Sequence, residues 1–360
     1  MKVLILSTYE HSGGAAIAAS RLMKALRKNG VEASLLCRRN ICCGPQGLRK
    51  QSWTSIMERG IIWMMNGFSR KDLWATDIAL LGQDVTHTDE FHQADVIHLH
   101  WVNQGFLSLG IIEKIIKSGK RVVWTMHDAW NTMGAYHLAI QRRESWLERW
   151  TWKRKTRLYE QGGISFVACS RWLREEAENS PLMSQLRVRN IPNPIDTSVF
   201  HPVCHADTKW VLFVAQRSDN PMKGIQYLDE AAKMLDGVEI VALGRDIPYI
   251  YDEKDMAQLY ASVDAFVLPS LSENLPNTIM EAMACGTPCV GFDIGGIPEM
   301  IDHKQNGYVA RYKDATDLAE GIRFVLDNRE TLGLAARDKV MREYSEEMVA
   351  KRYVEVYESC

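Results

Sequence analysis

The stretch Leu271-Ser-Glu-Asn-Leu-Pro-Asn-Thr-Ile-Met-Glu-Ala-Met-Ala-Cys-Gly-Thr-Pro-Cys-Val290 decides how the rest of the chain is read. The apolar run Ala265-Phe-Val-Leu-Pro269 before it reads as a buried parallel strand. Ser270 to Leu275 is a short polar turn. Pro276 suits the first turn of a helix, where a missing N–H leaves nothing unpaired. Ile279, Met280 and Met283 follow helical spacing, Gly286 and Pro288 stop the helix, and Pro288 to Phe292 forms a second strand. Such a strand–loop–helix–strand unit brings backbone N–H groups and a positive helix end to the carboxyl edge of a sheet, which suits a phosphate. Two carboxylates flank the place, Glu273 in the loop and Glu281 in the helix. A carboxylate does not suit a phosphate, but it accepts hydrogen bonds from vicinal hydroxyls. The pattern reads as a diphosphate at the helix end with polyols on either side, the layout of a sugar nucleotide. Two solvated helix-end charges are the plainer account of any lone glutamate pair; the strand, turn and proline around these two favour the ligand.

The chain has 360 residues, enough for two α/β domains. It is 46% hydrophobic and 24% charged, as in a soluble globular protein. A formal net charge of −2 argues against a nucleic-acid partner held by bulk charge. None of the eight cysteines forms a C-x-x-C pair with a matching His or Cys pair. Cys285 and Cys289 read as core, and the vicinal Cys42-Cys43 is a poor disulfide, so a reduced, cytoplasmic setting is expected. Met1 to Ser7 reads as a first strand rather than a signal peptide, and no run approaches the ~20 apolar residues of a membrane span.

Along the chain, strand Lys2–Ser7 leads to a turn with Gly13 and Gly14 and then a helix. The glycine pair is not a G-x-G-x-x-G fingerprint. It fits a tight turn, and its place after the first strand also fits close approach to a ligand. Ala33–Cys37 is the second strand, and Arg38–Gln51 a loop. Ile56–Gly67 is amphipathic and expected to pack into the core; contact with a membrane or acceptor is the sharper alternative. In Asp95–Trp101, His98 and His100 alternate and so share a side. A hydrogen-bonded wall is preferred there to a metal pair, because no third ligand is near in sequence. Arg121–Asp128 is the next strand and edge. Within Trp130–Tyr159, Trp146, Trp150 and Trp152 lie among Arg142, Arg143, Arg149, Lys153, Arg154, Lys155 and Arg157. As a helix this is either a basic, aromatic-anchored face for an anionic membrane or lipid pyrophosphate, or a solvated face with its Trp buried; both stay open. Ser165–Ala168 and Arg187–Ile191 are strands, and Pro192–Pro202 reads as a hinge. After strand Trp210–Ala215, Arg217 and Lys223 bracket a loop ending at Gly224, where both could reach one phosphate group. Val238–Leu243 ends at Gly244, and Asp246–Lys254 should hold a nucleotide base. Asp255–Tyr260, Thr316–Asp327 and Glu343–Ser359 read as helices.

Glu273-x7-Glu281 within Ser-x-Ser-Glu-Asn-Leu-Pro-Asn-x3-Glu-Ala-x-Ala-x-Gly-x-Pro-x-Val resembles the signature of retaining glycosyltransferases of family 4, two-domain enzymes of the GT-B fold. Gly295-Gly-Ile-Pro-Glu299, Asn306-Gly-Tyr308, Thr125-x-His-Asp128 and Ala168-x-Ser-x-Trp-Leu173 are similar to the same family, most closely over residues 210–325. Glu-Asn-Leu-Pro-Asn resembles the branch that builds bacterial capsule, colanic-acid-like and O-antigen polysaccharides. There are departures: Pro194 stands where the family has Gly, the Arg217–Lys223 spacing is slightly long, a Cys-containing insertion after Asp128 is absent, and Asp246–Lys254 differs.

The resemblance implies two Rossmann-like α/β domains facing a cleft, with residues 1–195 on the acceptor side and 205–340 binding the nucleotide sugar. Residues 341–360 would form a helix that crosses back to the first domain. It implies a metal-independent transfer from a UDP- or GDP-sugar to a glycan acceptor on a lipid-linked intermediate. Arg217, Lys223 and the helix end after Glu273 would stabilise the leaving diphosphate. Glu273 would hold sugar hydroxyls, Glu281 the ribose, and His127 the transferred sugar, while Gly13, Gly14, Gly244, Asn274 and Leu275 complete the donor site. Asp128, His100 and Asn103 are placed on the acceptor side. No cofactor or metal is expected. The expected location is cytoplasmic, with contact to the inner face of the membrane through residues 142–157. Rivals are another GT-B enzyme (a phosphorylase or epimerase), a nucleotide-sugar-binding subunit without turnover, and an interaction protein using the Trp-rich stretch.

Overall fold

The computed structural model describes residues 1–38, 53–70, 72–138, 144–203, 209–215 and 220–359. They form two compact units, Met1–Ile191 with Ala350–Cys360, and Pro192–Val349. Each unit is a parallel sheet between helices. Mostly apolar runs of four to six residues supply its strands, as expected where both faces of a sheet are covered, with the three-residue edge strand Val188–Asn190 the exception.

In the first unit the strands are β1 (Lys2–Ser7), β2 (Glu32–Cys37), β3 (Val96–Leu99), β4 (Arg121–Met126), β5 (Ile164–Ala168) and β6 (Val188–Asn190). Their order is β2-β1-β3-β4-β5-β6, every pair parallel. The order reverses between β1 and β3, so the loops after these strands flank the crevice where such sheets bind ligands. Thr8 ties the two loops together: its N–H donates to the Trp101 carbonyl at 2.8 Å and its hydroxyl to the Asn103 carbonyl at 2.9 Å.

The second unit has β7 (Trp210–Val214), β8 (Glu239–Leu243), β9 (Ala265–Leu268), β10 (Cys289–Phe292) and β11 (Gly307–Ala310) in the order β11-β10-β9-β7-β8, all parallel. Here the reversal falls between β7 and β9.

Three elements add to or differ from expectation. The expected helix Glu343–Ser359 is present as Glu346–Glu358, and a further helix, Arg329–Glu343, precedes it, the two separated where Ser345 forms a parallel bridge with Ile195. Ile195 N–H donates to the Tyr344 carbonyl and Glu346 N–H to the Ile195 carbonyl, so the backbone at the break bonds laterally. From residue 350 this final helix belongs to the first unit, where Tyr353 and Tyr357 are buried.

The basic stretch forms helix Trp146–Glu160 but is not a solvated cationic cylinder. Lys155 is fully buried, donates to the Trp130 and Met133 carbonyls and lies over the Trp130 ring; burial lowers its pKa well below the ordinary lysine value. The third element is helix Trp53–Met65, expected to pack into the core. Its buried residues are Glu58, Arg59 and Ile62, whereas Trp53, Ile56, Met57, Trp63, Met64 and Met65 are exposed. The loop expected over Arg38–Gln51 lies, apart from Arg38, outside the described residues, as does the vicinal Cys42-Cys43.

Candidate active site

In the second unit the site begins with backbone geometry. Strand β9 stops at Leu268, and the loop Pro269–Pro276 leads into helix Asn277–Ala284. Its N-cap residue, Pro276, gives that helix start no side-chain cap, and the positive end of the helix faces the loop. The neighbouring strand β7 leads to helix Ile225–Ala232, which starts at Gly224, again without a side-chain cap. Gly224 has φ +70°, and a Cβ built there would lie 1.7 Å from the Pro269 carbonyl oxygen. Leu271 N–H donates to the Met222 carbonyl at 2.8 Å. Thus two uncapped helix starts belong to the loops on either side of the strand-order reversal, and the loops are in contact.

Lys223 immediately precedes Gly224, and its Nζ lies 2.5 Å from Glu273 Oε1. Both side chains keep some exposure, 35% and 15%. The loop bearing Glu273 is fixed from behind: Gly295, at φ +57°, sits where a Cβ would come within 1.8 Å of the Glu273 carbonyl oxygen. Gly296 N–H donates to the Asn274 carbonyl at 2.8 Å. Asn274 is half-buried and Leu275 buried. Glu281 is buried, one helical turn from the helix start, and accepts from the Tyr260 hydroxyl at 3.1 Å. Burial first, then the Glu281 charge, push the Tyr260 hydroxyl well above its ordinary pKa, so it stays a donor. Gly244 ends β8 at φ +93°, and its N–H donates to the Ile247 carbonyl. Arg217 lies outside the described residues.

In the first unit, Gly13 at φ +88° opens helix Gly14–Lys28, again without a side-chain cap. His98 and His100 share a side of β3 and its edge, their rings 4.4 Å apart, and form the expected hydrogen-bonded wall. His98 Nδ1 meets the Tyr357 hydroxyl at 2.7 Å and Nε2 the Thr125 hydroxyl at 2.8 Å. His100 Nδ1 lies 2.8 Å from His127 Nε2, so one ring donates and the other accepts. Burial lowers the His98 pKa to about 3 and that of His127 to about 4, and takes His100 well below its ordinary value. All three are neutral at pH 7. His100 and Asn103 are 3% and 4% exposed.

Asp128 accepts from Trp101 Nε1 at 2.9 Å and from the Trp130 N–H, and lies 2.7 Å from His137 Nδ1. Burial pushes this carboxyl upward, but His137 and the donors outweigh it and hold the pKa below the ordinary value. His137, Tyr260 and the clash that requires Gly295 were not found from the sequence; His137 and Tyr260 lie in no motif. Among the described residues no group of three or more His, Cys, Asp or Glu could hold a metal ion.

Comparison with known proteins gives this geometry its context. A family profile described as Glycosyltransferase Family 4 matches residues 12–199, more than half of the chain. One described as Glycosyl transferases group 1 matches residues 208–328. The chain belongs to glycosyltransferase family 4. This family 4 glycosyltransferase is 33% identical over 112 residues to N-acetyl-alpha-D-glucosaminyl L-malate synthase of Bacillus anthracis, covering 30% of this chain and 29% of that one. It is 34% identical over 157 residues to N,N'-diacetylbacillosaminyl-diphospho-undecaprenol alpha-1,3-N-acetylgalactosaminyltransferase of Campylobacter jejuni, covering 38% and 41%. The matches therefore span less than half of these relatives' own length.

Among solved structures, sucrose-phosphate synthase from Thermosynechococcus elongatus superposes with a TM-score of 0.71 at 16% identity, over 99% of this glycosyltransferase and 98% of that chain. The Anabaena protein HepE in complex with UDP-glucose gives 0.68 at 15% identity over all of both chains. These neighbours share the two-domain GT-B fold.

Proposed function

We propose that this family 4 glycosyltransferase moves a sugar, with retention of anomeric configuration, from a nucleoside diphosphate sugar to a lipid-linked glycan in bacterial surface polysaccharide synthesis. The observation that carries the reading is the Lys223–Glu273 pair, placed beside two uncapped helix starts at the strand-order reversal. Helix starts and an ammonium suit a diphosphate; the carboxylate suits sugar hydroxyls. With no donor the two charges satisfy each other. Donor binding parts them, Lys223 going to the diphosphate and Glu273 to the sugar.

The C1–oxygen bond of the donor breaks and its electron pair leaves on the diphosphate. Lys223, Arg217 and the helix starts stabilise that charge without a metal. The acceptor oxygen bonds to C1 from the same face and passes its proton to the leaving phosphate oxygen. Glu281 is assigned to the ribose, His127 to the transferred sugar, and Asp128 to orienting groups on the acceptor side. The similarity to the Campylobacter jejuni enzyme, whose name specifies a diphospho-undecaprenol acceptor, supports the lipid-linked acceptor. A peripheral contact with an anionic membrane, with residues 142–157 contributing, follows from such an acceptor.

A thermal-shift series with UDP, GDP and ADP identifies the base, since a ligand of the native state raises its melting point. The variant Glu273→Gln should lower transfer by about 100- to 1,000-fold while nucleoside diphosphate binding holds or tightens, because Lys223 loses its competing partner. Lys223→Ala should weaken both. Chelation with EDTA should leave the rate unchanged, and product NMR should show the donor's anomeric configuration. Full transfer by Glu273→Gln, or diphosphate binding indifferent to Lys223→Ala, would remove the basis of the assignment.

A further inference from the structure

Helix Trp53–Met65 is amphipathic in the reverse sense. Its two charged residues point inward beside Ile62, and most of its apolar ones point outward. Arg59 is buried, donating to the Leu73 and Thr76 carbonyls and pairing with Asp77 at 2.9 Å. Glu58 is buried, accepts the Leu80 N–H at 2.9 Å, and is raised to about 8 by burial and then by Asp77. The outer face carries Trp53 (73% exposed), Ile56, Met57 (56%), Trp63 and Met64 (55%), spaced as i, i+3, i+4, i+10 and i+11. Phe68 stacks edge-on to Trp63 with ring centroids 4.8 Å apart and is also exposed, as is Trp74. Single exposed apolar side chains are ordinary; a helix whose solvent face is apolar throughout marks a surface that is covered in use.

The neighbouring element indicates what covers it. Ile61 and Ile62 pack in one cluster with Leu147 and Trp150 of helix Trp146–Glu160. On the outer face of that helix Trp146 is exposed and stacks on Trp150 at 5.9 Å, and Arg149, Lys153 and Arg157 are exposed beside them. Exposed Glu144 and Glu160 flank the helix, and Asp72 is half-buried nearby in sequence; the exposed face of Trp53–Met65 holds no acid. Aromatic and methionine side chains bordered by Arg and Lys match the interface of an anionic bilayer, where rings sit at headgroup depth and cations meet phosphates.

We infer that the outer face of helix Trp53–Met65, with Phe68, Trp74 and Trp146, docks on an anionic lipid surface, the basic face of helix Trp146–Glu160 providing the electrostatic part. The inference rests on the proposed lipid-linked acceptor and extends it by naming the contacting surface, most of whose apolar part lies outside residues 142–157. The test uses the full chain with vesicles of phosphatidylglycerol, and of phosphatidylcholine as the neutral control, read by co-sedimentation and by tryptophan quenching with brominated lipid.

Wild type should bind phosphatidylglycerol and lose most of that binding in high salt. The combined variant Trp53→Gln, Met57→Gln, Met64→Gln should bind roughly tenfold more weakly or worse, with an unchanged far-UV spectrum, because these side chains are exposed. Arg149→Gln with Lys153→Gln should weaken binding and flatten its salt dependence. No binding by wild type, or equal binding by the triple variant, overturns the inference. So does a dimer in sedimentation velocity that the triple variant dissolves, which would assign the face to a second copy. The nucleoside diphosphate thermal shift is the separating control: its retention with no vesicle binding removes only the membrane face, and its absence in wild type removes the donor reading instead.

Discussion

Gly295 shows how narrowly the donor loop is determined. At φ +57° an alanine would pay the left-handed penalty of about 1–2 kcal/mol, and its Cβ would also meet the Glu273 carbonyl oxygen at 1.8 Å. Gly295→Ala should lower the melting temperature of the second unit by at least about 2–8 °C and displace Glu273, so transfer should fall more than diphosphate binding does. Calorimetry and transfer assays on the same preparation check this; an alanine variant with wild-type values for both would show that the loop is not held there. At this scale the sequence was read well where residues sit in one continuous motif. Glu273, Pro276 and Gly286 declare a loop, a helix start and a helix stop by type and spacing. Lys223 reads as a candidate phosphate ligand from its place in the loop, but its pairing with Glu273 is not legible there, because that contact spans fifty residues and depends on which strands are neighbours. His137 beside Asp128 escaped for a related reason: the loop that returns it leaves no periodic trace.

Among the elements, β3 and β4 carry a set of histidines whose neutrality is enforced by burial. His98 sits at about 3 and His127 at about 4, with His100 also well below 6.5. The unfolded chain therefore takes up protons near pH 6.5 that the folded unit refuses. Stability of the first unit should be full above about pH 6.5 and decline toward pH 4, by up to about 4 kcal/mol per pH unit if all three act together. Urea midpoints at pH 7.5, 6 and 5 measure the slope; a flat profile would mean that the unit accommodates the charges. Tyr357→Phe removes the partner of His98 Nδ1 and should cost about 1–3 kcal/mol, the penalty for an unsatisfied buried polar atom. Most strands and helices follow from apolar runs and stop signals to within a few residues, but strand Gly307–Ala310 and helix Arg329–Glu343 are not among them. The misread element was Trp53–Met65. Its apolar spacing does describe an amphipathic helix, but spacing alone does not say which face turns inward; buried partners for Glu58 and Arg59 decided that.

Across the whole molecule, the chain returns to its first unit after completing its second. Tyr353 and Tyr357 fill the first unit, the Thr125 hydroxyl meets Tyr353 at 2.9 Å, and Arg121 donates to the Tyr357 carbonyl at 2.8 Å. A chain ending at residue 349 should therefore lose the first unit's thermal transition, or lower it by many degrees, while the second unit keeps its own transition and its diphosphate-dependent shift. Calorimetry with and without nucleoside diphosphate distinguishes this from a general loss of folding. The alternation of strands and helices made both sheets legible, but strand order was not, since no local pattern says which strand β1 will neighbour. The same return of the chain sets a schedule for birth on the ribosome. At ~5–20 residues per second, residues 192–356 take on the order of ten to thirty seconds to appear. For that interval the nascent first unit has emerged yet lacks its closing tyrosines, leaving His98 and Thr125 unpartnered by them.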